Sequence, residues 1–143
     1  MEFEKKKSAG YLANHMARLF AQGLHERIKS LGLAPAQFMT LLELWNEDGL
    51  SQKELIKRID VEQATMANTI RRMERDGLII RKQNQKDARS HTVFLTKRAK
   101  QLEQAAKEAA YSQNAAALEG FSKDEHEKFL EFMQRIIGNM KSN

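Results

Sequence analysis

Residues 51–77 read SQKELIKRIDVEQATMANTIRRMERDG, and this stretch decides the fold. Ser51 and Glu54 have the S-x-x-E spacing of a capping box, in which a hydroxyl and a carboxylate each satisfy a free backbone N–H at a helix start. Leu55, Ile56 and Ile59 then fall on one face. After the short break Asp60-Val61-Glu62, Met66, Ile70 and Met73 recur at i, i+4 and i+7, the period of a second amphipathic helix that stops at Asp76-Gly77. Two short helices joined by about three residues make a helix-turn-helix.

Working outward, the period changes. Leu78-Ile79-Ile80-Arg81-Lys82 and His91-Thr92-Val93-Phe94-Leu95 are β-branched and apolar runs flanking polar residues 83–90, which predicts a two-stranded hairpin with a charged tip. Upstream, Pro35 suits the first turn of a helix whose Phe38, Leu41, Leu42 and Trp45 form a stripe ending at Asp48-Gly49; this helix reads as wholly internal. Residues 8–31 carry Leu12, Met16, Leu19, Phe20, Leu24, Ile28 and Leu31 mostly three or four apart, a long helix stopped by Gly32. Thr96 or its neighbour opens a second long helix, and Gly120 interrupts it. Ser122 and Glu125 repeat the capping-box spacing before a last helix bearing Phe129, Leu130, Phe132, Met133, Ile136, Ile137 and Met140.

The apolar faces at both ends exceed what the central module needs, so they are expected to bury against each other and against a second copy in a symmetric dimer. The fold class is therefore mostly α (α+β): a winged helix-turn-helix with long N- and C-terminal dimerisation helices.

Composition narrows the chemistry. The 143 residues suit one domain, and 41% hydrophobic with 30% charged residues is the balance of a folded protein. The absence of Cys excludes disulfides, thiol catalysis and cysteine metal sites. His15, His25, His91 and His126 do not share the i, i+4 spacing of a helical metal pair, so no metal or cofactor is expected. No phosphate loop, nucleophile elbow or paired-carboxylate motif occurs, and an enzyme is not expected. The amino terminus lacks the apolar stretch of a secretory signal, and no apolar run approaches the ~18 residues of a membrane span, so the expected location is the cytoplasm, with no membrane partner.

Charge locates the function. Residues 51–100 hold 13 Lys and Arg against 6 Asp and Glu, a net +7, while the remainder is −2, within a total of +5. A basic segment in an otherwise slightly acidic chain is the footprint of a polyanion-binding module. If Met66, Ile70 and Met73 face inward, the opposite face presents Ala64, Asn68, Arg71 and Arg75, flanked by Thr65 and Arg72. Asn pairs with adenine, Arg with guanine, and Thr with a base edge or methyl in a major groove. An ordinary solvated helix shows the same pattern in isolation, but this one lies between a capped helix and a basic hairpin. An Arg at the hairpin tip suits a narrow minor groove, and a nearby carboxylate could hold its guanidinium.

Leu33-Ala34-Pro35-Ala36-Gln37-Phe38, Ser51-Gln52-Lys53-Glu54-Leu55, Val61-Glu62-Gln63-Ala64-Thr65-Met66, Arg72-Met73-Glu74-Arg75-Asp76-Gly77-Leu78-Ile79, Asp87-Ala88-Arg89 and Leu95-Thr96 closely resemble the MarR/SlyA family of bacterial transcriptional regulators. The resemblance spans nearly the whole chain. It implies a single MarR-like domain over residues 1–143, with 33–96 as the DNA-binding region and 1–32 and 97–143 as dimerisation helices. It also implies a homodimer that binds pseudo-palindromic double-stranded DNA, a repressor released by a small aromatic or phenolic ligand. Position by position it places Gln63, Ala64, Thr65, Asn68, Thr69, Arg71 and Arg72 on the recognition surface, with Arg89 as the minor-groove arginine and Asp87 as its orienting partner. The family's redox branch senses through a cysteine near the amino terminus, which this chain lacks. By the same analogy a ligand pocket would draw on the first, second and fifth helices, with His15, Met16, Phe20, Phe38 and Trp45 as lining candidates and Arg18 as an anion partner. The alternative from another class is a winged-helix protein-interaction module that does not read DNA; the +7 segment and the intact D-x-R wing argue against it.

Overall fold

The computed structural model describes residues 1–84, 86–87 and 89–142. Helix α1 spans Ala9–Ile28 and begins at Ser8, whose side chain accepts from the Tyr11 N–H. A 3₁₀ turn, Lys29–Leu31, follows and ends at Gly32, which takes a left-handed φ of 77° that favours glycine. Helix α2 is Pro35–Asn46, with Pro in its first turn as the sequence predicts. It is less internal than expected, because Met39 is half exposed while Phe38, Leu41 and Leu44 are buried.

Helices α3 (Gln52–Ile59) and α4 (Gln63–Arg75) form the helix-turn-helix. Three strands pair antiparallel in the order β1-β3-β2: β1 is Leu50–Ser51, β2 is Ile79–Gln83 and β3 is His91–Leu95. The hairpin was legible, whereas β1 was not. Two residues are too short for alternation to show, yet Leu50 opposite Val93 closes the sheet over α3. The Asp48 carboxylate reinforces that edge by accepting from the N–H of Leu95 at 2.9 Å.

Thr96 caps the long helix α5 (Lys97–Ala117) by accepting from the Ala99 N–H, and Ser122 and Glu125 form the expected capping box before α6 (Lys123–Ser142). One continuous core unites α2, α3, α4, the sheet and the start of α5, with Leu41, Leu55, Ile70, Met73, Leu78 and Val93 fully buried. At about 25 cal/mol per Å², burial of such side chains is the main stabilising contribution.

Helices α1 and α5 pack closely because Gly23 on α1 leaves room for the Gln113 side chain, which accepts from the Arg27 guanidinium. By contrast, α6 has no fully buried residue. Phe132, Ile136 and Ile137 are each about half exposed on it, as is Leu19 on α1. Among the described residues, no helix is long and apolar enough to cross a membrane.

Candidate nucleic-acid interface

The start of α3 is fixed by reciprocal bonds: the Glu54 N–H donates to Ser51 Oγ at 3.0 Å, and the Ser51 N–H donates to Glu54 Oε1 at 3.1 Å. The backbone and hydroxyl of Ser51 together hold the Glu54 carboxyl below its ordinary value. Asp60 ends α3 in the left-handed region, φ 60°, where a short polar side chain is tolerated. The turn Asp60-Val61-Glu62 then swings the chain into α4. Lys141, near the end of α6, reaches this turn and pairs with Asp60 at 3.2 Å.

On α4 the inner side is Met66, Ile70 and Met73. The outer side exposes Gln63, Ala64, Thr65, Asn68, Arg71, Arg72 and Arg75. Thr69 departs from the recognition surface suggested by the resemblance. It is 8% exposed, and its hydroxyl donates to the Thr65 carbonyl, because it falls one residue from Ile70 on the inward arc of the helix. Arg71 donates to the Asn68 side-chain oxygen, so the two form a unit on the outer face. Arg75 is turned to Asp76, with Nε and Oδ1 3.0 Å apart. That contact and a bond from Gln37 hold the Asp76 carboxyl below its ordinary value.

The wing tip is shaped by the backbone. The Asn84 N–H donates to the Ser90 carbonyl, and Asp87 Oδ1 accepts from the Arg89 N–H at 3.0 Å. Asp87 therefore orients Arg89 through the main chain, where the sequence suggested its guanidinium, because the two-residue separation suits an Asx turn. Ala88, inside the D-x-R motif, lies outside the described residues. Gln52 and Lys53 of α3, Gln63 of α4, and Asp87, Arg89 and His91 of the wing border one groove of about 520 Å³. The start of α4 and the wing arginine thus share one side of the molecule.

A second feature lies between α1, α2 and α5. Phe20, Leu24, Phe38, Leu42, Lys107 and Tyr111 line a cleft of about 570 Å³. Of the candidates from sequence, Phe20 and Phe38 line it, and Met16 lines an adjoining groove of about 430 Å³ with Phe20, Phe121 and Phe129. His15 and Arg18 do not join them. Both are exposed on α1, where the His15 ring meets Tyr11 edge-on at 6.2 Å. Trp45 braces the region instead of lining it: its indole N–H donates to the Ala99 carbonyl at 3.0 Å, and its ring meets Phe38 at 6.0 Å.

The cation in the cleft wall is Lys107, 5.8 Å over the Trp45 ring and paired with Glu103. Its position one turn before Ala110 and Tyr111 on α5 was the available sequence signal. Among the described residues, no group of three or more His, Asp or Glu is placed to hold a metal.

Comparison with known proteins places this architecture. The model of the MarR family matches residues 33–91, the segment from just before α2 to the first residue of β3. The uncharacterised HTH-type transcriptional regulator YwoH of Bacillus subtilis (strain 168) is 36% identical over 86 residues, 60% of this chain and 62% of that protein, so the match spans less than two thirds of the relative. A SlyA-like transcription regulator from Listeria monocytogenes superposes with a TM-score of 0.87 at 26% identity, covering 94% of this chain and 89% of that one. Another regulator from Listeria monocytogenes, solved complexed with 26mer DNA, superposes with a TM-score of 0.84 at 26% identity and the same coverage.

Proposed function

We propose that the chain is a MarR-family transcriptional regulator, a homodimeric repressor that reads pseudo-palindromic duplex DNA. The observation that carries this reading is that Gln63, at the start of the donor-rich exposed face of α4, borders one groove with the wing arginine Arg89. In this assignment Gln63, Ala64, Thr65, Asn68, Arg71 and Arg72 approach base edges and phosphates in the major groove, while Arg89 enters the adjacent minor groove. The related Listeria monocytogenes regulator complexed with DNA supports the assignment.

The exposed apolar faces of α1 and α6 support the dimer, since a contiguous stripe of this kind is costly to leave in water. Residues 1–32 and 97–143 then supply the contacts between subunits, and residues 33–96 the reading head. The α1–α2–α5 cleft is the proposed effector site. Its aromatic lining and Lys107 suit a small acidic aromatic or phenolic molecule, which would favour one spacing of the two reading heads.

The test is fluorescence-anisotropy binding to the chain's own upstream duplex and to a scrambled duplex at two salt concentrations. Preference for the native duplex that survives the higher salt is the expected result. Equal binding that vanishes with salt would reduce the interface to a basic surface. A panel of aromatic acids, scored by thermal shift and by operator affinity, tests the cleft; no response in either measurement rejects it as an effector site.

A further inference from the structure

Four elements meet at the C-terminal end of α4. Gln37, in the first turn of α2 and 5% exposed, donates from Nε2 to Asp76 Oδ2 at 2.9 Å. Its amide oxygen accepts from the Ala34 N–H at 3.1 Å, which leaves the amide one orientation that satisfies both neighbours. Arg98, in the first turn of α5, donates to the Asp76 carbonyl, and its guanidinium lies against Gly32 at the end of the α1 segment. Thr96 donates to the Gly77 carbonyl at 2.7 Å. The opposite end of α4, at Gln63, faces the open groove beside the wing.

Met66, Ile70 and Met73 pack α4 along its length, while the hydrogen bonds that tie it to other elements gather at its C-terminal end and make that end a pivot. At 1.5 Å per residue, the 13 residues of α4 span about 20 Å, so a tilt of only ~3° at Asp76 moves the Gln63 end by about 1 Å. Base readout tolerates displacements of about half that size. Apolar packing under α4 is non-directional, whereas a buried amide with both partners specified fixes an angle.

We propose that Gln37 is the positioning residue of the recognition helix, setting through Asp76 the angle at which α4 presents its reading face. This rests on the reading of α4 as the DNA-recognition helix. The joint acts on sequence preference and leaves the phosphate contacts, which tolerate small displacements, unchanged.

The experiment uses the full-length protein and the duplex it selects from a randomised library, with a scrambled duplex as reference. Gln37→Met keeps the side-chain length and removes both the donor to Asp76 and the amide acceptor for the Ala34 N–H. The expected result is at least a tenfold fall in preference for the selected duplex, with unchanged affinity and salt dependence on the scrambled one. Gln37→Glu sets a carboxylate against Asp76 at pH 7.5, with Arg75 of α4 and Arg98 of α5 as the charged groups around the pair. Its preference should fall as well, and return toward that of the wild type, measured in parallel, as the pH drops to 5.5 and a shared proton restores a donor.

Full preference in Gln37→Met overturns the proposal. So does a parallel loss on both duplexes, which marks a folding defect, or a Gln37→Glu preference that does not recover with acid. If Gln37→Met does not fold, the pH series decides alone. A wild-type protein that selects no duplex overturns the reading of α4 itself, and the positioning role with it.

Discussion

Arg81 clasps Glu74 with two hydrogen bonds, Nη2 to Oε1 at 2.9 Å and Nε to Oε2 at 3.3 Å, and so ties the first strand of the wing to the last turn of α4. The guanidinium contact is the main reason the Glu74 carboxyl lies below its ordinary value, with the charges of Arg81 and His91 adding to it. The wing and α4 are thereby linked directly as well as through the core.

Removing the clasp should separate stability from binding. Both side chains are about a third or more exposed, so Arg81→Ala is expected to cost no more than about 1 kcal/mol in urea unfolding. Operator affinity should fall several-fold, because the wing loses its fixed distance from α4. Equal affinity in the variant would show that the sheet alone sets the wing. The pH dependence has a defined sign: a depressed carboxylate contributes stability that is present at neutral pH and lost as the pH falls through its folded value. Protection of the β2 amides, taken relative to the intrinsic exchange rate at each pH, should therefore fall in wild type below the ordinary glutamate range, and the Arg81→Ala variant should lack that step.

Beneath the reading face, Ile70 is fully buried in the core shared by α2, α4 and the sheet. Ile70→Ala removes packing and leaves a cavity, for an expected loss of about 2–5 kcal/mol. Urea denaturation checks the value. A loss under 1 kcal/mol would mean that the core collapses around the site.

The helix-turn-helix and hairpin were legible because their signals are local. Ser51 with Glu54, the i, i+4, i+7 run of Met66, Ile70 and Met73, and the glycines after α4 and α5 each act within a few residues. What escaped depends on partners distant in sequence. Strand β1 exists only because Val93 and Thr92 lie opposite Leu50 and Ser51, and Gln37 matters only because Asp76 lies 39 residues away. The cleft divides the same way. Phe20 and Phe38 were identified by residue type, but the rotation of α1 that leaves His15 and Arg18 outside, and of α5 that brings Lys107 in, is set by how α1 and α5 cross at Gly23 and Gln113.

The apolar stripe of α6 supports a prediction about assembly. Leu130 and Ile137 are 44% and 53% exposed in the single chain. Seven residues apart on one helix, they lie on the same face. A double substitution, Leu130→Asp with Ile137→Asp, places two charges in the proposed subunit contact, which is prohibitive if that contact is dry. Sedimentation equilibrium should give the mass of two chains for wild type and of one for the variant. A variant that remains dimeric would move the subunit contact to another face.

The two halves of the reading surface should fail differently. An asparagine recognises adenine through an acceptor and a donor together, yet the Asn68 acceptor is engaged by Arg71 in the free protein. Binding adenine therefore requires Arg71 to turn away, and the phosphate backbone is the natural destination for a released guanidinium. Asn68→Ala should abolish preference at one base pair, about 1–3 kcal/mol, while affinity for scrambled duplex stays the same. Arg89→Ala removes the charge proposed to enter the minor groove, so it should weaken binding to many sequences and reduce the salt slope by about one unit. Anisotropy titrations on a set of single-base operator variants at several salt concentrations separate the outcomes. If Asn68→Ala changes the salt slope and not the base preference, Asn68 acts on the backbone and the direct reading passes to Arg71 and Thr65.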